Sequence, residues 1–229
     1  MFVPALILLV LPYAFTVLEP LGRTVILSSY YMFETFLLLA VIALVAHREN
    51  SSIKSAIGYC KKTGSTIFVS LAAFGAIWAI VARDYLQVPG FMMLSRSIME
   101  LLPGWPSIYS RLPQDDGIFA ALGTGGEALS LLLGTITFVS ASIMQSLYFR
   151  GFLLSRLDRL GWRAPALIAV LFAMFHMGSP FFWHQFLFVT LPWAFIAYRT
   201  INVWIVVVSH AAMNSYSGIF ELLTLGMTG

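Results

Sequence analysis

The sequence predicts an all-α, polytopic membrane bundle of seven or eight transmembrane helices, forming a single domain over residues 1–229. Three observations carry that prediction. Of the 229 residues, 59% are hydrophobic and only 10% charged, where a soluble domain carries about a quarter charged residues. Apolar runs recur along the whole chain, at or near the ~20 residues that span the hydrocarbon core. The 13 basic and 10 acidic side chains are too few to coat a water-soluble globule of this size. A soluble fold is thereby excluded.

The apolar segments run over 2–18, 24–46, 65–82, 127–149, 164–178, 181–198 and 202–223. The first has no basic flank and no small-residue cleavage site before Glu19, so it reads as a retained span and not as a cleaved signal peptide. Gly178-Ser179-Pro180 separates the fifth and sixth, which predicts broken, re-entrant or tilted helices there. Glu127 opens its segment after Gly-Thr-Gly-Gly, where a carboxylate suits a helix N-terminus. Trp183 and His184 read as an interface belt.

Basic residues set the expected topology. Arg48, Lys54, Lys61 and Lys62 fill one connection; Arg150, Arg156, Arg159 and Arg163 fill another. Residues 86–126 mix acids and bases and are rich in Pro and Gly. The positive-inside rule puts the two basic connections in the cytoplasm and 86–126 outside, as an extracytoplasmic or interfacial connection. The stretch FMMLSRSIMELLPGW within it reads as an interfacial amphipathic helix closed by Pro103-Gly104. The N-terminus is then cytoplasmic, the C-terminus extracytoplasmic, and a prokaryotic inner membrane the expected location. A net charge of +3 suggests no nucleic-acid partner, and the lone Cys60 allows neither an internal disulfide nor a cysteine metal cluster. No cofactor is implied.

Polar groups at membrane depth are the informative residues, because leaving them unpaired there is costly. His210 and Asn214 lie four apart and share a helix face. At about 1.5 Å per residue, His210 falls roughly 10–15 Å from Arg199, Gln145 about 7–8 Å from Arg150, and His176 about 18 Å from Ala164. Three segments can therefore bring polar side chains to one level. Glu34, inside the second segment, must be protonated, paired or facing a cavity. Against these stand plainer roles: helix–helix glue for the histidines and Asn214, a routine buried serine for Ser146, and an interface anchor with its head in water for Arg150. Glu127 lies about 27 Å along the axis from Gln145 and cannot serve the same pocket.

The spacing resembles the CAAX-prenyl-protease-like and bacteriocin-processing membrane proteins (the CPBP or Abi family), the group related to the Rce1-type prenyl endopeptidase. Its members read EExxxR, FxxxH and HxxxN or HxxxD in order. Here the stretches are Gln145-Ser146-Leu147-Tyr148-Phe149-Arg150-Gly151, Phe172-Ala173-Met174-Phe175-His176 and His210-Ala211-Ala212-Met213-Asn214. The resemblance covers about 127–223 and implies an Rce1-like intramembrane protease fold. It also implies that the first glutamate and the FxxxH histidine activate water for peptide hydrolysis, while the late His and Asn stabilise the oxyanion. Here Gln145 and Ser146 replace the glutamate pair. An amide orients water but cannot take its proton, and general-base help is commonly worth about 10²–10⁴ in rate.

The expected function is therefore that of a catalytically impaired, protease-like membrane protein. Gln145, Ser146, Arg150, His176, His210 and Asn214 stand at the motif positions, and the partners are other membrane proteins, a transmembrane peptide or a lipid. The alternative is an active intramembrane endopeptidase cleaving a membrane-embedded or prenylated peptide, with His176 or Glu34 as substitute base. A metal held by His176 and His210 lacks a third ligand, a Ser146 nucleophile lacks an elbow context, and a transporter lacks a polar path through the outer half.

Overall fold

A computed structural model describes residues 20–86, 127–176 and 183–228. They form helices and short turns, with no strand among them. Helix α1 spans Pro20–Arg48, α2 Ile53–Ile57, α3 Ser65–Leu86 and α4 Glu127–Ser146. A π-helical stretch, Leu147–Leu153, continues α4. Single turns at Leu154–Arg156 and Asp158–Leu160 follow. Helices α5 (Arg163–Phe175), α6 (Trp183–Thr200) and α7 (Val203–Thr228) complete the chain. Six of the seven apolar segments coincide with the six long helices. The first segment, most of the 86–126 connection and the Gly178-Ser179-Pro180 break lie outside the described residues.

Helix α4 is central, packed between α1 on one side and α7 on the other. Helix α7 also packs on α3, and α6 bridges α3 and α5. Close approach needs small residues at the crossings. Gly75 of α3 is one: a Cβ there would come within 2.6 Å of Ser209 Oγ and 3.1 Å of Trp193 Nε1. The same crossing is fastened by polar bonds. Ser209 Oγ donates to the Ala72 carbonyl at 3.0 Å, and Trp193 Nε1 donates to the Gly75 carbonyl at 3.0 Å.

Two helices among the described residues are long and apolar enough to cross a membrane, Tyr31–Arg48 and Ser65–Ala82. Their outward side chains include Phe33, Phe36, Leu44, Ile67, Val69, Phe74, Ile77 and Val81. Glu34, by contrast, turns inward and is only 2% exposed. Apolar residues outside and a carboxyl inside invert the soluble pattern and suit a hydrocarbon surround. Helix α5 is apolar but only 13 residues long.

The connection after α1 is tied down. Ser52 caps α2 by accepting from Ser55 N–H at 3.1 Å. Arg156 donates to the Ala56 carbonyl at 2.7 Å, pairs with Glu49 at 3.0 Å and lies over the Phe152 ring at 3.9 Å. Tyr59 Oη donates to Asp158 at 2.7 Å. Lys61 N–H donates to the Ile201 carbonyl and Val203 N–H to the Tyr59 carbonyl, both at 2.8 Å. This clamp holds the turn between α6 and α7, where Ile201 adopts a left-handed φ of 52°. Asn202 opens α7 by accepting from Trp204 N–H at 2.9 Å.

Candidate functional site: paired polar side chains around Phe172

The motif at 145–151 straddles the change from α- to π-helix. Such stretches widen a helix locally and recur at functional sites. The last two residues of α4 point their side chains to different neighbours. Gln145 reaches α1: its Nε2 donates to Glu34 Oε1 at 2.7 Å, with both side chains buried. Ser146 reaches α7, sharing a 3.1 Å hydrogen bond with Nδ1 of His210. Glu34 thus stands against the amide that occupies the first glutamate position of the motif.

His176 is placed differently from a mid-helix residue. Helix α5 ends at Phe175, and His176 is its C-cap, so the rise from Ala164 does not continue regularly through it. Its Nδ1–H donates to the Phe172 carbonyl at 2.9 Å. The ring lies 4.3 Å from that of Phe172, centroid to centroid. His210 reaches the opposite neighbourhood of the same aromatic group, 6.1 Å from Phe172 and 4.7 Å from Trp193.

Arg150 overturns the interface-anchor expectation. Its side chain is fully buried, with the guanidinium carbon 4.1 Å from the Phe172 ring centre and 5.4 Å from that of Trp193. Nε, Nη1 and Nη2 have no hydrogen-bond partner among the described residues. The physical reason is that the side chain projects into the bundle interior, toward Phe172 of α5 and Trp193 of α6, and not along the helix toward an interface.

Asn214 is half-buried, its Nδ2 donating to Ser142 Oγ and at 3.4 Å to the Phe138 carbonyl. Around Phe172, Gln145 thus meets Glu34, Ser146 meets His210, and Asn214 meets Ser142. Ser142 and Trp193 belong to this group and were not singled out from sequence. Ser142 had a signal, lying one turn before Ser146 on the same helix. Trp193 had none, being one of six tryptophans. Among the described residues no three His, Cys, Asp or Glu side chains converge as a metal cage requires.

The described residues thus form an all-helical bundle with motif-bearing polar side chains in its interior. Residues 127–216 match the family model for the type II CAAX prenyl endopeptidase, Rce1-like. Over this segment the chain is similar to the Rce1-like family, whose members are integral membrane proteins. No curated protein and no solved structure matches the chain.

Proposed function

We propose that this chain is a non-hydrolytic Rce1-like membrane protein, a binding or structural subunit that packs against other membrane proteins or holds a membrane-embedded ligand. In this reading it is a single bundle of seven or eight spans in a prokaryotic inner membrane, with the two basic connections and the N-terminus on the cytoplasmic side. The observation that carries the reading is the 2.7 Å bond between Gln145 and Glu34. An amide stands where the family pattern has a proton-accepting carboxylate, and it holds the neighbouring carboxyl as its own acceptor. Ser146 and Asn214 are likewise engaged with His210 and Ser142. Groups that would orient water or receive an oxyanion are spent on joining α4 to α1 and α7.

The second reading is an active endopeptidase. One observation favours it: Glu34 brings a carboxyl to the motif from another helix, with His176 as the other candidate base. The two readings part in one experiment. Purified protein in liposomes is incubated with farnesylated and non-prenylated membrane peptides, and products are followed by mass spectrometry. Wild type and Glu34→Gln are expected to match the protein-free background. Turnover by wild type that Glu34→Gln removes would establish the second reading and end the first.

A further inference from the structure

The Arg150 guanidinium carries the next step. It has five N–H donors, is shielded from solvent, and none of its three nitrogens has a hydrogen-bond partner among the described residues. The faces of Phe172 and Trp193 attract its charge but accept none of its N–H bonds in the plane of the fork. A buried, uncompensated cation is among the most expensive arrangements a fold can carry. Three carboxyl groups of the described bundle have partners of their own: Glu34 bonds Gln145, Glu49 pairs with Arg156 and Asp158 accepts from Tyr59.

Ser146 explains the vacancy on the donor side. It precedes Arg150 by four residues, the spacing at which a glutamate meets an arginine on one helix, and the EExxxR pattern places a glutamate there. The serine hydroxyl is instead bonded to His210. The replacement removes an internal counter-charge while leaving the arginine in place.

We infer that Arg150 anchors a site for an oxyanion headgroup, carboxylate or phosphate, carried by a membrane amphiphile. The planar fork matches both groups in a bidentate manner. Phe149, Phe172 and Phe175 form an edge-to-face cluster beside it, with ring centroids 5.2 and 5.3 Å apart. A free hydrated anion would have to shed its water against these rings. An amphiphile covers them with its own tail and delivers only the headgroup to the guanidinium.

The inference rests on the non-hydrolytic reading. Failure of that reading appears as cleaved peptide, and failure of this inference as absent binding. The test uses the full chain in an uncharged maltoside detergent, with oleate, oleoyl lysophosphatidate, oleyl alcohol, acetate and inorganic phosphate as probes. Affinity is measured by calorimetry and occupancy by the shift in melting temperature. At least one anionic amphiphile is expected to bind about tenfold or more tighter than oleyl alcohol, the worth of a charge-assisted hydrogen bond. Arg150→Gln is expected to lose that preference. Ser146→Glu is expected to lose it too, because it restores an internal carboxylate, and to melt higher than wild type without ligand. Equal binding of oleyl alcohol, or an unchanged preference in folded Ser146→Glu, overturns the site. Matching shifts from acetate or phosphate alone overturn the amphiphile assignment in favour of a free anion.

Discussion

Glu34→Leu is expected to destabilise the protein, and the double change Glu34→Leu/Gln145→Leu is expected to recover most of the loss. The two side chains are 2% and 3% exposed and bonded at 2.7 Å. Removing one partner strands the other, at about 1–3 kcal/mol for a buried polar group. Leucine is close in size to both residues, so the cavity contribution stays small. Removing both leaves an apolar contact between α1 and α4 with no stranded group. Hydrogen bonds between membrane helices average nearer ~0.6 kcal/mol in such cycles, because side chains of the unfolded state find other partners in lipid. The short distance and near-complete burial place this pair above that average, with a coupling energy of about 1–2 kcal/mol. At roughly 2–4 °C per kcal/mol for a chain of this length, each single variant should melt about 2–12 °C lower. Melting of the four proteins in lipid-detergent micelles, followed by tryptophan fluorescence, gives the cycle directly. Additive losses, with the double variant as unstable as the sum of the singles, would refute the pairing of α1 with α4 through these groups. Glu34→Gln keeps an acceptor oxygen and should stay within about 1 kcal/mol of wild type.

The remaining predictions concern other contacts. His210→Ala removes a ring 4.7 Å from Trp193 and the partner of Ser146; it should cost about 2–4 kcal/mol, and wild-type melting would count against the arrangement around Phe172. Gly75→Ala should cost about 1–3 kcal/mol by forcing α3 off α6 and α7, whereas Gly64→Ala, where a Cβ meets nothing within 4 Å, should leave melting unchanged. Ile201→Asn relieves a β-branched residue at a φ of 52° and should stabilise by about 1 kcal/mol, read as a higher melting temperature. Tyr59→Phe removes the bond to Asp158 and should cost about 1–2 kcal/mol near neutral pH. Burial, then the hydrogen bond to Asp158, pushes the Tyr59 phenol above the ordinary tyrosine value. The folded state therefore keeps a proton that the unfolded chain releases from about pH 10 upward. The advantage of wild type over Tyr59→Phe is full below that pH and should shrink as pH rises above it, which paired melts at pH 8 and pH 11 would reveal.

Helix positions were legible because hydropathy is a local property. The run 65–82 became Ser65–Leu86, and 202–223 became Val203–Thr228, with ends that moved by a few residues. The fifth segment is the exception: its helix stops at Phe175, so His176 caps it and does not ride on it. The family resemblance was legible for a similar reason. Spacings of four within one helix, as in His210 and Asn214, are fixed by helical geometry before any tertiary contact forms.

The sequence by itself determined that the chain is helical and apolar, that Gln145 and Ser146 interrupt a glutamate motif, and that Glu34 needed a partner. Only the tertiary structure decided which partner. Glu34 meets Gln145 across 111 residues of chain, a separation that no periodicity encodes, because it depends on how α1 rolls against α4. The same holds for Arg150. Its position after an apolar helix suits an interface anchor, and the packing of α5 and α6, which brings the rings of Phe172 and Trp193 to it, is what its guanidinium meets in the buried interior. Local spacing fixes which side chains share a face; helix packing fixes what that face meets.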